Sequence, residues 1–257
     1  MKQFLLTIAP KGGVVVLTGD DYHYLARVRR YKEGVVFKAV LPDGKEIRLL
    51  VQKMDEFRLI CQRLEQEISP TRTLPPITLF QALPKGVKID TIIRQATEAG
   101  VSEIVPFVSE YCVLKQDVAR ENKNGRLERW RRIIREARQQ SGSNVETEIC
   151  NVCAMDEMAA RWGAFRSAYR KPSGLLLHQT PLAESSFHQA LEDCDAAAAL
   201  VGPEGGFSKR EAAFFMNLGF IPLVMGQSVM RVETASVYAI GAVKTILLEV
   251  EKWTKKS

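Results

Sequence analysis

Residues 196–207 read AAAALVGPEGGF. The small apolar run Ala196–Val201 predicts a strand, and it leads straight into Gly202-Pro203-Glu204-Gly205-Gly206. Ser208-Lys209-Arg210-Glu211 then carries the Ser-x-x-Glu spacing of a capping box, so a helix opens there. Three glycines and a proline in five residues give bare backbone, a preset bend and N–H groups free to face a ligand. Open α/β proteins bind ligands at such strand–loop–helix corners. Taken alone, the corner reads equally well as a tight turn. It lacks the Gly-Lys-Ser/Thr ending of a Walker loop and the Gly-x-Gly-x-x-Gly spacing of a dinucleotide fold.

The same rhythm extends on both sides. Strands are expected at Ile77–Leu83, Ile104–Val108, Gly174–His178 and Phe220–Met225, and helices at Val87–Ala99 and Glu233–Glu249. Leu127, Trp130, Ile134, Ala137 and Ser141 share one face of a further helix. Thr180-Pro181 suits the start of another. Alternation of this kind predicts a mostly parallel sheet covered by helices. Two more strands end on polar or small residues: Leu175–Leu177 at His178, and Phe220–Met225 at Gly226-Gln227-Ser228-Val229-Met230-Arg231. Three such ends either line one pocket or are three independent turns.

Upstream the pattern differs. Val14–Leu17, Val35–Leu41, Glu46–Lys53 and Phe57–Glu67 are β-rich, with a turn at Pro42-Asp43-Gly44-Lys45 and one helix at Asp20–Arg30. This is the pattern of a small β-barrel. Ser69–Pro76 holds three prolines and makes a stiff, extended connection. The chain therefore divides into residues 1–72 and 73–257.

The 257 residues, 46% hydrophobic and 26% charged, have ordinary globular composition. No apolar run reaches the roughly 18 residues of a membrane span, and the N-terminus does not resemble a secretory signal, so a cytoplasmic location is the default. Five scattered cysteines do not form a disulfide framework. Cys150 and Cys153 have C-x-x-C spacing, but no second pair completes a zinc site, and no metal is expected. The net charge of +6 is compatible with a nucleic-acid partner.

GPEGGF followed by G-Q-S-V-M-R-V-E-T-A resembles the SPOUT superfamily of methyltransferases. Within it, the chain is similar to the family that methylates N3 of a uridine in 16S ribosomal RNA. The resemblance runs through His23-x-x-x-Arg27-Val28-x-Arg30, Lys88-Ile89-Asp90, Glu98-Ala99-Gly100-Val101 and Gln140-Ser141-Gly142. It implies an N-terminal PUA-like RNA-binding barrel and a C-terminal α/β domain with a deep trefoil knot, a topology otherwise almost absent from proteins. It also implies S-adenosylmethionine as cofactor, contacted by Leu177, His178, Gly202, Gly205, Met225, Gly226, Val229 and Met230, and a homodimer.

The chemistry that follows needs a group to stabilise negative charge developing on the base, and Arg231 is the candidate. A helix-entry ion pair with Glu233 is the plain alternative for it. Glu204 is a candidate proton acceptor, or a binder of the backbone amides of its own loop. Arg27, Arg30 and Lys32, interleaved with Tyr22, Tyr24 and Tyr31, are candidates for RNA contact, the tyrosines being either base-stacking or core. Arg132 and Arg135 are candidates on the helix, or simply its solvated face. The chain departs from the family pattern at Ser143, Ser228 and Gln95, where basic residues are usual, and at Arg29, where leucine is. Those missing cations leave a non-catalytic RNA-binding or ribosome-assembly protein of the same fold as the competing expectation.

Overall fold

The computed structural model describes residues 4–42, 45–64, 74–112, 123–179 and 186–253. The chain forms two compact units, Met1–Arg72 with Arg138–Asn144, and Thr73–Ala137 with Val145–Ser257. The turn at Asp43-Gly44, most of the proline-rich connection and the Thr180-Pro181 helix start lie outside the described residues.

The first unit is a five-stranded sheet. Its strands are β1 (Phe4–Leu5), β2 (Val14–Thr18), β3 (Val36–Val40), β4 (Glu46–Met54) and β5 (Arg58–Leu64), in the order β1-β3-β4-β5-β2. β1 joins β3 in parallel, and the remaining pairs are antiparallel. Alternate residues, among them Val15, Leu17, Phe37, Ala39, Ile47, Leu49, Val51, Leu59 and Cys61, point into one apolar core, as a period of two requires. The expected helix at Asp20–Arg30 is an α-helical turn, α1 (Gly19–Tyr22), continued by a π-helical stretch over His23–Val28.

The tyrosines belong mainly to this core. Tyr22 is buried and donates its hydroxyl to the Asp55 carbonyl at 3.0 Å. Tyr24 stacks on Phe4 at 6.3 Å, and Tyr31 lies 5.2 Å from Phe37. A base-stacking role does not suit rings already occupied in this way. Arg29 lies over the Tyr24 and Tyr31 rings at 6.0 and 5.7 Å, a cation–π arrangement, whereas Arg27, Arg30 and Lys32 are exposed.

The second unit is a six-stranded parallel sheet. Its strands are β6 (Ile77–Ala82), β7 (Glu103–Phe107), β8 (Glu148–Ile149), β9 (Pro172–Leu177), β10 (Ala196–Val201) and β11 (Ile221–Leu223), in the order β11-β9-β10-β6-β7-β8. Every pairing is parallel. The helices are α2 (Lys88–Glu98), α3 (Lys123–Ser141), α4 (Met155–Ala168), α5 (Phe187–Leu191), α6 (Lys209–Asn217) and α7 (Val232–Trp253).

Two apolar layers sandwich the sheet. Leu79, Ala197, Ala199 and Leu175 face α2, α3 and α7 through Ile92, Trp130, Ile134 and Ile240. Phe80, Ala198, Leu200 and Leu176 face α4 and α6 through Met158, Trp162, Phe165 and Phe215. Strands buried on both faces read as continuous apolar runs, and all six residues of β10 are buried.

Gly174 in β9 is a forced choice. A Cβ built there would lie 2.5 and 2.7 Å from Trp162 ring atoms and 2.8 Å from Phe220. β10 lies between β9 and β6, and β11 pairs with the other side of β9. Parallel pairing makes these strands exit at one end of the sheet.

Candidate active site

That shared end holds a cavity of about 270 Å³. Three walls meet there: Leu177-His178-Gln179 after β9, Val201–Phe207 after β10, and Met225–Met230 with Val232 and Ala235 after β11. The eight residues expected to touch a cofactor, Leu177, His178, Gly202, Gly205, Met225, Gly226, Val229 and Met230, all line it. The three strand ends therefore form one pocket, the first of the two alternatives open in the sequence.

Local chemistry builds each wall. Gly206 has φ +69° and donates its N–H to the Pro203 carbonyl at 2.9 Å, closing the turn after β10. Gly226 has φ +92°, a region open to glycine and costly for other residues. The capping box forms: Ser208 Oγ accepts from Glu211 N at 3.1 Å, and Glu211 Oε2 accepts from Ser208 N at 2.9 Å. Glu211 Oε1 also accepts from Glu110 N at 2.8 Å, so one buried carboxylate ties the loop after β7 to the start of α6. Arg210 Nε donates to Glu110 Oε1 at 2.8 Å on the same seam. Tyr111 packs against Gly205, where an added Cβ would meet its Cβ at 2.9 Å.

Glu204 lines the cavity, but its carboxylate is engaged. It accepts from Lys85 N at 3.2 Å through each oxygen and from Lys88 Nζ at 2.7 Å. Partial burial pushes the Glu204 carboxyl up. The Lys88 ammonium and the backbone N–H groups of Glu204 and Lys85 outweigh it and hold the group below its ordinary value. A carboxylate stabilised in its charged form is a weak proton acceptor. Of the two roles left open by sequence, amide binding matches this geometry, although the amide belongs to the loop after β6. Sequence reasoning missed Lys88 as a partner because 116 residues separate the two.

Arg231 is exposed and sits between Met230 and Val232, which line the cavity, without lining it itself. Among the described residues its guanidinium makes no hydrogen bond or ion pair, so the Glu233 pair is not formed. Glu233 Oε2 is buried without a partner, as is Gln95 Oε1 on α2. The positive charge of Arg231 is felt by Lys88, whose ammonium is stabilised by Glu204 first and then by Glu233. Ser228 lines the cavity. Arg132 and Arg135 are exposed on α3, where Arg132 lies 3.9 Å from Glu136 and Arg129 pairs with Asp90. No group of three or more metal-ligating side chains occurs among the described residues, and no described helix is long and apolar enough to cross a membrane.

The family described as "RNA methyltransferase domain" matches residues 72–244, and "RNA methyltransferase PUA domain" matches residues 17–62. The ribosomal RNA small subunit methyltransferase E of Mycobacterium bovis is 30% identical, covering 92% of this chain and 88% of that protein. The protein of the same name from Bacillus subtilis is 28% identical, with 88% of each covered. A crystal structure of a ribosomal RNA small subunit methyltransferase E from Neisseria gonorrhoeae, bound to S-adenosyl methionine, superposes with a TM-score of 0.76. It is 24% identical and covers 96% of this chain and 98% of its own.

Proposed function

The chain belongs to the RNA methyltransferase family, and from that premise we propose that it methylates N3 of a uridine in 16S ribosomal RNA, using S-adenosylmethionine. The observation that carries this reading is the convergence of all eight expected cofactor residues on one cavity.

The lining suits this cofactor. Leu177, Val201, Phe207 and Met225 offer apolar surface for an adenine ring. Among the described residues no backbone hydrogen bond ties 226–230, so those amides remain available to a ligand. Close approach of backbone to the ligand is possible where Gly202, Gly205 and Gly226 remove the side chain. The cofactor, when bound, supplies a methyl group already activated on a sulfonium.

The chain's own residues then have separate tasks. The three walls hold the cofactor and set the line of approach for N3, which orientation alone makes productive. Arg231, uncommitted and next to the cavity, stabilises the negative charge that grows on the pyrimidine as N3 loses its proton. Glu204 stays ionised and organises the loop after β6. Arg27, Arg30 and Lys32 on the first unit, and Arg132 and Arg135 on α3, contact RNA phosphates. The protein acts in the cytoplasm as a homodimer on the small ribosomal subunit.

Two measurements test the reading. Calorimetry with S-adenosylmethionine should give saturable binding to the folded protein. Small subunits from a strain lacking the gene, treated with protein and cofactor, should gain one methyl group at uridine N3 by nuclease digestion and mass spectrometry. Absence of binding heat favours the non-catalytic alternative, and a methyl group on cytidine or a ribose oxygen refutes the assignment.

A further inference from the structure

The Glu204 carboxylate joins two loops that sequence reasoning kept apart. Through it the cavity wall after β10 holds the backbone of Lys85 and the ammonium of Lys88. The Lys85 side chain is exposed and has no partner among the described residues. Lys88 keeps 38% of its side chain exposed while bound to Glu204. Arg231 stands close enough to Lys88 to oppose its charge. One cavity wall thus holds the Lys88 ammonium and the backbone of Lys85, with the Arg231 charge near Lys88, and Glu204 and Glu233 offset the charge there only in part. Like charges brought together repel, so this grouping is stabilised when an anion binds across it.

We infer that Lys85 and Lys88 clamp the phosphodiester backbone of the substrate RNA beside the target nucleotide, and that Glu204 is the positioning residue that sets them. The inference rests on the methyl-transfer reading. A lysine is a mobile point charge with three donors, suited to a phosphate that carries no sequence information. The chain's net charge of +6 favours a polyanion generally. The Glu204 tie adds a location: the clamp moves with the cavity wall, so backbone capture and placement of N3 are mechanically one event. The competing anion is the cofactor's own carboxylate, and the test separates the two.

The probe is a fluorescent single-stranded oligouridylate, its binding followed by anisotropy between 50 and 200 mM KCl. Each phosphate contact on a single strand contributes about 0.7 to the slope of log K against log salt. The double variant K85Q/K88Q should therefore be shallower by about 1.4. Across that salt range, its affinity should fall about sevenfold less than that of the wild type. K85R/K88R should restore the slope. In methyl transfer to undermethylated small subunits, K85Q/K88Q should raise KM and leave kcat at saturating subunits nearly unchanged. E204Q keeps both cations but removes the negative charge that holds Lys88, so it should raise KM with the slope intact.

An unchanged slope in K85Q/K88Q overturns the clamp. A loss of S-adenosylmethionine affinity in K85Q/K88Q, measured by calorimetry, also overturns it and assigns the lysines to the cofactor carboxylate. Wild-type protein that binds oligouridylate with the full slope but transfers no methyl group refutes the methyl-transfer reading and leaves the clamp standing.

Discussion

Replacing Gly174 by alanine tests how β9 is held, and β9 carries Leu177 and His178 to the cavity. The new Cβ would lie 2.5 Å from Trp162 Cη2, 2.7 Å from Cζ2 and 2.8 Å from Phe220 Cδ1. Carbon atoms prefer about 3.5–4.0 Å, so about 1 Å of overlap must be relieved on two sides. Neither ring has room. Trp162 is 1% and Phe220 2% exposed, they stack at 4.2 Å, and Trp162 Nε1 is tied to the Leu218 carbonyl at 2.9 Å. Overpacking of this kind costs about 1–3 kcal/mol, and a clash with two rings belongs at the upper end. Removing a glycine from the unfolded chain returns about 0.4–1 kcal/mol. The net expectation is a loss of about 2 kcal/mol, or about 4–8 °C in Tm for a unit of this size. All three tryptophans lie in the second unit, so their fluorescence in urea reports its unfolding. Gly163→Ala is the control: it lies inside α4 with open space around an added Cβ, and should stabilise by about 0.5–1 kcal/mol. A G174A protein as stable as wild type would refute the packing argument.

Other outcomes follow from the site and its surroundings. Arg231→Ala should leave S-adenosylmethionine affinity nearly intact and lower methyl transfer by about 10²–10³-fold, the usual loss when one charge-stabilising donor goes; unchanged turnover would make Arg231 incidental. Glu211→Ala removes the acceptor of the Glu110 N–H and strands that of buried Ser208, and should cost about 1–3 kcal/mol in urea unfolding. The Glu204 carboxyl is held below its ordinary value in the folded state. Its stabilising tie is therefore complete above the usual carboxylate pKa and lost as pH falls through the folded one, so the stability difference between wild type and E204Q should shrink in acid. Among the thiols, the bond from Cys153 holds Cys150 low despite burial, while burial pushes Cys61 and Cys194 up to about 11. Timed alkylation at pH 8 with peptide mapping should therefore label Cys150 before either; early labelling of Cys61 would contradict this.

The parallel sheet and its pocket were legible because their signals are local. Ala196–Val201, the glycine loop and the capping box lie within sixteen residues, and the period of two separates Ala197 and Ala199 from Ala198 and Leu200. Other parts had no local signal. β1 and β8 have two residues each, too few to show a period. The α4 helix did carry one, with Met158, Trp162 and Phe165 at helical spacing on its buried face, and went unread. The assignment of Arg138–Asn144 to the first unit rests on distant contacts such as Asn144 Nδ2 to Glu46 Oε1 at 2.8 Å. For Tyr24 and Tyr31 the choice between base-stacking and core stayed open because their partners, Phe4 and Phe37, come from separate strands of the fold. The choice between the two roles of Glu204 stayed open because Lys85 and Lys88 are remote in sequence.

The loop after β10 is moored at both ends by carboxylates, Glu204 to the segment after β6 and Glu211 to the segment after β7. The wall opposite has no such moorings among the described residues, and Val229 there is 71% exposed. The cavity thus has an anvil and a jaw. Opening to admit a cofactor, and closing to shield it, are therefore expected at residues 226–230 rather than at residues 202–207. Amide hydrogen exchange should divide the two walls accordingly, fast on the jaw without ligand and slowed there alone when the cofactor binds.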